Sequence, residues 1–247
     1  MSTVTNVALM GFGKMGNWVK RVIDESAELK FVGAVGPEEG AVEKLEDIQN
    51  PIDAVVDFSH PSNLPAVCAY CLAHKTPLVL ATTGYSEEDV KKIYQLGESI
   101  PIVYTANFSL GVTVLNRVLR EIAPILKDTF DMELIEKHHN RKLDSPSGTA
   151  KMLLNSINPE GEFAYVNGRE GSRKREKEIG VHAVRGGTIA GEHTVLFAGQ
   201  DEVLEFTHVA NSRKIFAQGA VKAVKFITDK KPGVYQMEEV LFGVKEV

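Results

Sequence analysis

The densest chemistry in the chain lies between Glu136 and Ala150, which reads Glu-Lys-His-His-Asn-Arg-Lys-Leu-Asp-Ser-Pro-Ser-Gly-Thr-Ala. His138 and His139 are suited to proton transfer, because an imidazole titrates close to neutral pH. Lys137, Arg141 and Lys142 supply positive charge around them. A helix is expected to start beside Pro146-Ser147-Gly148-Thr149 and to run over Ala150 to Ile157. A helix start offers backbone N–H groups without intrahelical partners, and the serine and threonine hydroxyls stand beside them. Such a turn takes a carboxylate or a phosphate. An isolated His-His pair is most simply a surface loop or a satisfied core histidine; the cations and the anion-binding turn point instead to a functional site. Zinc is not expected, since no third and fourth ligand follow at a recognisable spacing.

A second constellation opens the chain. The apolar run Val4 to Met10 reads as a strand, and Asn17 to Ser26 reads as a helix. Between them stands Gly11-Phe12-Gly13-Lys14-Met15-Gly16, which meets the G-x-G-x-x-G spacing of a dinucleotide loop. Gly11 permits the tight turn, Gly13 lets the backbone approach a pyrophosphate, and Gly16 lets the helix pack close to the strand. The helix N-terminus favours the pyrophosphate charge. A second strand follows over Lys30 to Val35, and then Gly36-Pro37-Glu38-Glu39. An acidic residue there accepts from the 2′-hydroxyl of NAD, whereas a basic one would hold the 2′-phosphate of NADP. No Lys or Arg lies between Lys30 and Lys44, which favours NAD with Glu38 as the better candidate. The alternative is that both glutamates are solvated loop residues.

The elements that must position these groups alternate. Strands are expected over Ile52 to Phe58, Pro77 to Leu80 and Ile100 to Tyr104, with helices over Asn63 to His74 and after Ser86. That alternation predicts a Rossmann-like, doubly wound parallel sheet. Ligands sit beyond the carboxyl ends of such strands. The segments Asp57-Phe58-Ser59-His60-Pro61, Ala81-Thr82-Thr83-Gly84 and Thr105-Ala106-Asn107-Phe108-Ser109 are therefore the expected walls of one cleft. Cys68 and Cys71 fall mid-helix among apolar residues, so they read as inert rather than as a redox pair. A long helix is expected over Gly111 to Leu126. The alternating stretches Met132 to Glu136, Gly180 to Arg185, Thr194 to Ala198 and Glu202 to Val209 predict a smaller α+β domain with a mixed, mostly antiparallel sheet. The cationic segment Asn167 to Lys177 reads as a solvated, mobile loop. A final helix is expected over Ile215 to Thr228, followed by a short tail. The dinucleotide-binding domain is thus assigned to residues 1–106 and 214–247, and a substrate-binding and oligomerisation domain to 107–213. Hinge closure around ligand is a natural expectation of two crossings.

Composition sets outer limits. The 247 residues suffice for a sizeable core without disulfide or metal staples. Lys plus Arg is 28 against 33 Asp plus Glu, a net charge of −5, which disfavours nucleic acid as a partner. Mean hydropathy is −0.10, and no apolar run approaches the roughly 20 residues that span a bilayer. Met1 to Thr5 carries neither a basic region nor a long apolar stretch, so no signal peptide is expected. Two cysteines suit a reducing cytoplasm.

The run from Glu136 to Ala150 resembles the signature of the 4-hydroxy-tetrahydrodipicolinate reductase (dihydrodipicolinate reductase) family, E-x-H-H-x-x-K-x-D-x-P-S-G-T-A, at every fixed position. The glycine loop, Ala81 to Gly84, Ala106 to Ser109, Gly191-Glu192-His193-Thr194 and Ser212-Arg213 extend the resemblance over nearly the whole chain. The family's glycine loop is commonly one residue longer between its first glycines; here Met10 stands at that position. The resemblance implies hydride transfer from NADH and/or NADPH to 4-hydroxy-tetrahydrodipicolinate, with loss of water, in lysine and diaminopimelate biosynthesis. It implies His138 as the proton donor/acceptor and Lys142 as the second proton donor. It implies His139, Gly148 and Thr149 as contacts of a small dicarboxylate substrate, with Ser147 beside them. Cofactor contacts would be Gly11, Phe12, Gly13, Lys14, Met15 and Gly16, then Ala81, Thr82 and Thr83, then Thr105, Ala106, Asn107 and Phe108. It also implies a cytoplasmic homotetramer joined through the second domain's sheet. Two other readings compete: a different two-domain dehydrogenase of small amino or keto acids, and a dinucleotide sensor without turnover. A sensor would have no use for His138 and Lys142 beside an anion-binding turn.

Overall fold

In the computed structural model, residues 4–244 are described; Met1 to Thr3, on which the leader reading partly rests, lie outside them. In chain order the elements are β1 (Thr5–Met10), α1 (Lys14–Asp24), β2 (Leu29–Val35), β3 (Ala54–Asp57), α2 (Leu64–His74), β4 (Leu78–Leu80), α3 (Glu87–Gly97) and β5 (Pro101–Tyr104). Then follow α4 (Leu110–Leu126), β6 (Asp131–His138), α5 (Gly148–Ile157), β7 (Ala164–Asn167), β8 (Glu178–Arg185), β9 (Gly191–Ala198) and β10 (Val203–Ala210). The chain closes with α6 (Lys214–Ile227), β11 (Gly233–Tyr235) and α7 (Met237–Phe242). Two compact units result: one runs through Leu110 and resumes at Arg213, and the other is Gly111–Ser212.

The first unit is a six-stranded, wholly parallel sheet in the order β11-β5-β4-β3-β1-β2. Its strands read as continuous apolar runs because both faces are covered. Val7 and Leu9 of β1 pack toward α1 and α6, beside Val19, Ile23, Ala217 and Ala220. Ala8 and Met10 point the other way, toward Leu64, Val67 and Cys71 of α2 and Ile93 and Leu96 of α3. That period of two is the pleat of a strand. The strand order reverses at β1, whose neighbours are β2 on one side and β3 on the other, so the end of β1 lies at a topological switch point. Ser86 caps α3: its side chain accepts from Asp89 N–H at 3.1 Å while the Asp89 carboxylate reaches back to Ser86 N–H. Cys71 is fully buried in this core, and burial pushes its thiol well above the ordinary value. The expected short tail is instead β11 and α7; β11 extends the sheet beside β5. Three strand residues between Gly233 and Tyr235 carry too little periodicity to announce themselves.

The second unit is a five-stranded sheet, β10-β9-β6-β8-β7. It is mixed, with two antiparallel ladders (β10/β9 and β9/β6) and two parallel ones (β6/β8 and β8/β7) rather than mostly antiparallel. The parallel pairs arise because α5 and the long 168–177 segment return the chain in the same direction. One sheet face packs Met132, Leu134, Ile179, Val181, Val195 and Phe197 against Leu119 of α4 and Leu153 of α5. The cationic 167–177 segment is exposed apart from half-buried Arg175, and its arginines nonetheless pair with carboxylates: Arg173 with Glu178 at 2.8 Å, and Arg169 and Arg175 with Glu133. Glu178 is almost fully buried beneath them. Among the described residues no helix is long and apolar enough to cross a membrane.

Candidate active site

The glycine loop leaves β1 at Met10. Gly11 has φ +93°, a left-handed conformation that favours glycine, and a Cβ there would lie 2.6 Å from the Phe58 carbonyl oxygen. A Cβ on Gly16 would lie 2.2 Å from the Gly11 carbonyl oxygen, so this glycine lets α1 sit against the turn. Helix α1 begins at Lys14, and its N-cap residue Gly13 supplies no side-chain cap. Its first-turn N–H groups are directed out of the helix end at the loop. Phe12 stacks on Phe31 with ring centroids 5.8 Å apart, and Met15 packs into the core, which anchors the loop at both ends. Lys14 is exposed.

Beside this loop lies a cavity of about 490 Å³ lined by Gly11, Gly13, Gly36, Glu38, Glu43, Phe58, Ser59 and His60, among others. The Glu38 carboxylate reaches over the loop: Oε1 lies 3.3 Å from where a Gly13 Cβ would stand. The lining holds two carboxylates and, among the described residues, no Lys or Arg. Glycine backbone, an uncapped helix start and a carboxylate at the rim fit the pyrophosphate and ribose of a dinucleotide. Ala81 and Thr82 at the end of β4 are buried and Thr83 is exposed. Beyond β5, the Asn107 side chain accepts from Ser109 N–H at 2.8 Å, and Phe108 is buried against Phe58 with centroids 6.2 Å apart. Ala106 is exposed and Thr105 half-buried.

In the second unit, the chemistry begins inside a strand. Strand β6 continues to His138, so Glu136 and His138 stand on the same face, two residues apart. His138 pairs in register with Arg185 of β8, and Glu136 with His193 of β9. These four side chains form one cluster. Glu136 is fully buried. Its carboxylate accepts from His138 Nδ1 at 2.5 Å, from both Arg185 terminal nitrogens at 2.8 Å, and from Ser147 N–H at 3.0 Å. Burial alone pushes this carboxyl up, but the hydrogen bonds from Arg185, His138 and Ser147 together hold it below its ordinary value. A carboxylate can only accept, so the His138 Nδ1 carries a proton and the Nε2 is left to exchange one. Gly191 makes room at that nitrogen: a Cβ there would lie 3.1 Å from His138 Nε2. Burial lowers the His138 pKa below the ordinary imidazole value; Glu136 opposes this, while Lys142 and Arg185 add to it.

The anion-binding turn is built from the same cluster. Ser147 is the N-cap of α5, and its Oγ accepts from Ala150 N–H at 3.1 Å. That leaves the Ser147 hydroxyl proton for His193 Nε2, 2.9 Å away. Burial, with the neighbouring His138, takes the His193 pKa down to about 4, so this ring is neutral at physiological pH. Its edge meets the His138 ring, centroids 5.0 Å apart. Lys142 forms an ion pair with Asp144 at 2.7 Å. His139 is half-buried, and its Nδ1 has no hydrogen-bond partner among the described residues. Gly148 is exposed at the helix start, with Thr149 half-buried beside it.

A family profile described as dihydrodipicolinate reductase, N-terminus, matches residues 5–108, and one described as dihydrodipicolinate reductase, C-terminus, matches residues 111–241. A 4-hydroxy-tetrahydrodipicolinate reductase of Brachyspira hyodysenteriae is 45% identical over 95% of this chain and 99% of its own length. The Exiguobacterium sibiricum protein of the same name is 42% identical, covering 94% of each chain.

The chain belongs to the dihydrodipicolinate reductase family.

A solved reductase from Paenisporosarcina sp. TG-14, described as dipicolinate-bound, shares the fold with a TM-score of 0.77 at 19% identity, over 97% of this chain and 100% of that one. GenD2 of gentamicin A biosynthesis, in complex with NAD, shares it with a TM-score of 0.64 at 12% identity, over 98% and 91% of the two chains. Within this reductase-family fold, two groups of expected site residues each come together inside one unit. His138, His139, Lys142, Ser147, Gly148 and Thr149 gather at the end of β6 and the start of α5. The Gly11–Gly16 loop meets Glu38 around one cavity. Thr82 is different: its hydroxyl points inward and donates to Asp57 at 2.9 Å. Sequence reasoning gave no role to Glu136, Arg185 and His193, whereas Phe58, Ser59 and His60, expected to wall a cleft beyond β3, do line this cavity. Glu136 was legible by the period of two, had β6 been carried on to His138. Arg185 and His193 come from other strands, and only the register brings them in.

Proposed function

We propose that this protein reduces 4-hydroxy-tetrahydrodipicolinate, with loss of water, to tetrahydrodipicolinate in lysine and diaminopimelate biosynthesis. The observation that carries the reading is the Arg185–Glu136–His138 cluster, built on the buried Glu136, standing beside the capped start of α5. Residues 1–106 and 214–247 bind the dinucleotide in this reading, and residues 107–213 bind substrate and mediate assembly. The Gly11–Gly16 loop and the N-terminus of α1 hold the pyrophosphate, and Glu38 accepts from the adenosine ribose. Segments Ala81–Thr83 and Thr105–Phe108 complete that site. When bound, the reduced nicotinamide supplies the hydride.

The chain's own residues do the rest. Lys142 and the first turn of α5, at Gly148 and Thr149, hold a carboxylate of the small dicarboxylate substrate, with His139 beside them. The Lys142 charge also stabilises negative charge developing on the substrate. Reduction of an electron-poor conjugated imine leaves an electron-rich enamine, which a proton must quench. His138 delivers that proton from Nε2, while Glu136 keeps Nδ1–H in place and Arg185 keeps Glu136 ionised. A depressed His138 pKa makes the imidazolium a readier donor. Ser147 acts as the cap that sets the turn rather than through its own hydroxyl, which is committed to Ala150 and His193. The sheet face away from α4 and α5 exposes Val184, Val203 and Val209, which supports assembly of the cytoplasmic protein as a homotetramer through this sheet.

The test is spectrophotometric. Purified protein receives NADH or NADPH and substrate made in place by a synthase from pyruvate and aspartate semialdehyde. Loss of reduced-nicotinamide absorbance that requires the complete mixture is expected. No loss with either cofactor sinks the reading.

A further inference from the structure

Asp57 ends β3 in the middle of the parallel sheet, between β1 and β4, and is fully buried. Its Oδ1 accepts from Ser59 N–H at 2.9 Å, Ser59 Oγ at 2.6 Å and Thr82 Oγ1 at 2.9 Å. Its Oδ2 accepts from Tyr85 OH at 3.2 Å. None of these partners is a cation. Burying a carboxylate without a counter-charge is costly, and a packed apolar residue would serve bare stability better. What the carboxylate supplies is convergence, because only an acceptor-only group can gather four donors from three segments.

One of those segments, at Ser59, lines the dinucleotide cavity, and the other two brace it from the ends of neighbouring strands. Ser59 N–H is shared between Asp57 and Thr82 Oγ1, 2.9 Å from each, which clamps the β3 end to the β4 end. The clamped turn is the surface against which the glycine loop closes: Phe58 O and Ser59 Cα lie 2.6 and 2.9 Å from where a Gly11 Cβ would stand. Phe58, Ser59 and His60 then form one wall of the cavity. Tyr85 carries the linkage onward, since its ring meets that of Tyr104, the last residue of β5, with centroids 6.1 Å apart.

We propose that Asp57 is a positioning residue for the cofactor: its carboxylate fixes the 58–60 turn and the 81–83 segment so that the glycine loop and its opposite wall keep the spacing a dinucleotide needs. This rests on the reading of the first unit as the NAD(P)H-binding part, and Asp57 touches neither cofactor nor substrate in it. The role is distinct from mere support of the fold, because it predicts a loss specific to cofactor affinity.

The test titrates NADH by its fluorescence into wild type, Asp57→Asn and Tyr85→Phe, at a temperature where circular dichroism shows each to be folded. Asn keeps the shape but turns one acceptor into a donor facing donors. The expected result is an NADH Kd at least tenfold higher for D57N and about threefold higher for Y85F. The KM for NADH should rise in parallel, and kcat at saturating NADH should fall less than threefold. If D57N does not fold, Y85F and Thr82→Val carry the test, each removing one donor, with their double variant less than additive. Folded variants that bind NADH within twofold of wild type overturn the positioning role and leave the reductase reading standing. A lowered melting temperature with unchanged Kd does the same. Wild-type protein that binds no reduced nicotinamide overturns both.

Discussion

The replacement Glu136→Gln tests the logic of the second unit most directly. Glu136 is fully buried and accepts four hydrogen bonds, three of them from the Arg185 and His138 side chains. Gln keeps one acceptor and places an NH₂ where the other oxygen met donors. Losing two charge-assisted bonds at about 1.5–3 kcal/mol each, and leaving Arg185 without its counter-charge, gives a destabilisation of about 3–5 kcal/mol. The sign with pH follows from the direction of the shift. The folded pKa of Glu136 lies below its ordinary value of 4.5, so the contribution is complete above that value and disappears as pH falls through the folded pKa. The stability gap between wild type and E136Q should therefore be full at pH 7 and shrink below about pH 4. In kinetics, His138 loses both influences that raise its pKa, leaving burial, Lys142 and Arg185 to lower it. Because His138 acts as the protonated donor, the alkaline limb of the pH–rate profile should move to lower pH, and kcat should fall by about 10²–10⁴ as Nδ1–H is no longer held in place. Urea denaturation at several pH values reads the first effect, and the coupled reductase assay reads the second. An E136Q enzyme with kcat within threefold of wild type and an unmoved alkaline limb would refute the reasoning.

Three further outcomes are expected. His138→Gln should lower kcat by about 10²–10⁴ while leaving the NADH Kd within twofold, because the proposed cofactor site lies in the other unit; retained turnover would remove His138 from its role. Glu38→Arg should move the ratio of kcat/KM for NADPH over NADH upward by about 10–100-fold, one charge-assisted hydrogen bond gained to the 2′-phosphate and one lost from the 2′-hydroxyl. A ratio unchanged by that swap would show that Glu38 does not meet the ribose. Ser147→Ala should cost about 2 kcal/mol in urea denaturation, since it removes the α5 cap and strands His193 Nε2; wild-type stability would mean that neither bond contributes.

Much of this protein was written along the chain. The order of strands and helices, the glycine turn at the end of β1 and the anion-binding start of α5 follow from local rules: buried runs, caps and turn chemistry act over a few residues. Ser86 at the start of α3 and Ser147 at the start of α5 are such local signals, and each side chain caps as its position suggests. The chain alone also brought His138, Lys142 and Gly148 into one segment. What it could not determine depends on register and on groups far apart. Arg185 stands opposite His138, and His193 opposite Glu136, only because β6 pairs with β8 and β9 at one particular alignment. A slip of a single residue would send these side chains to the other face. The same holds for Asp57, which reads as the polar end of an apolar strand until Thr82 and Tyr85 arrive from beyond β4. Sequence fixes which residue types are available and on which element they stand; tertiary structure decides which buried charge meets which donor, because the cost of leaving such a charge unpaired is met only by groups that pairing in space supplies.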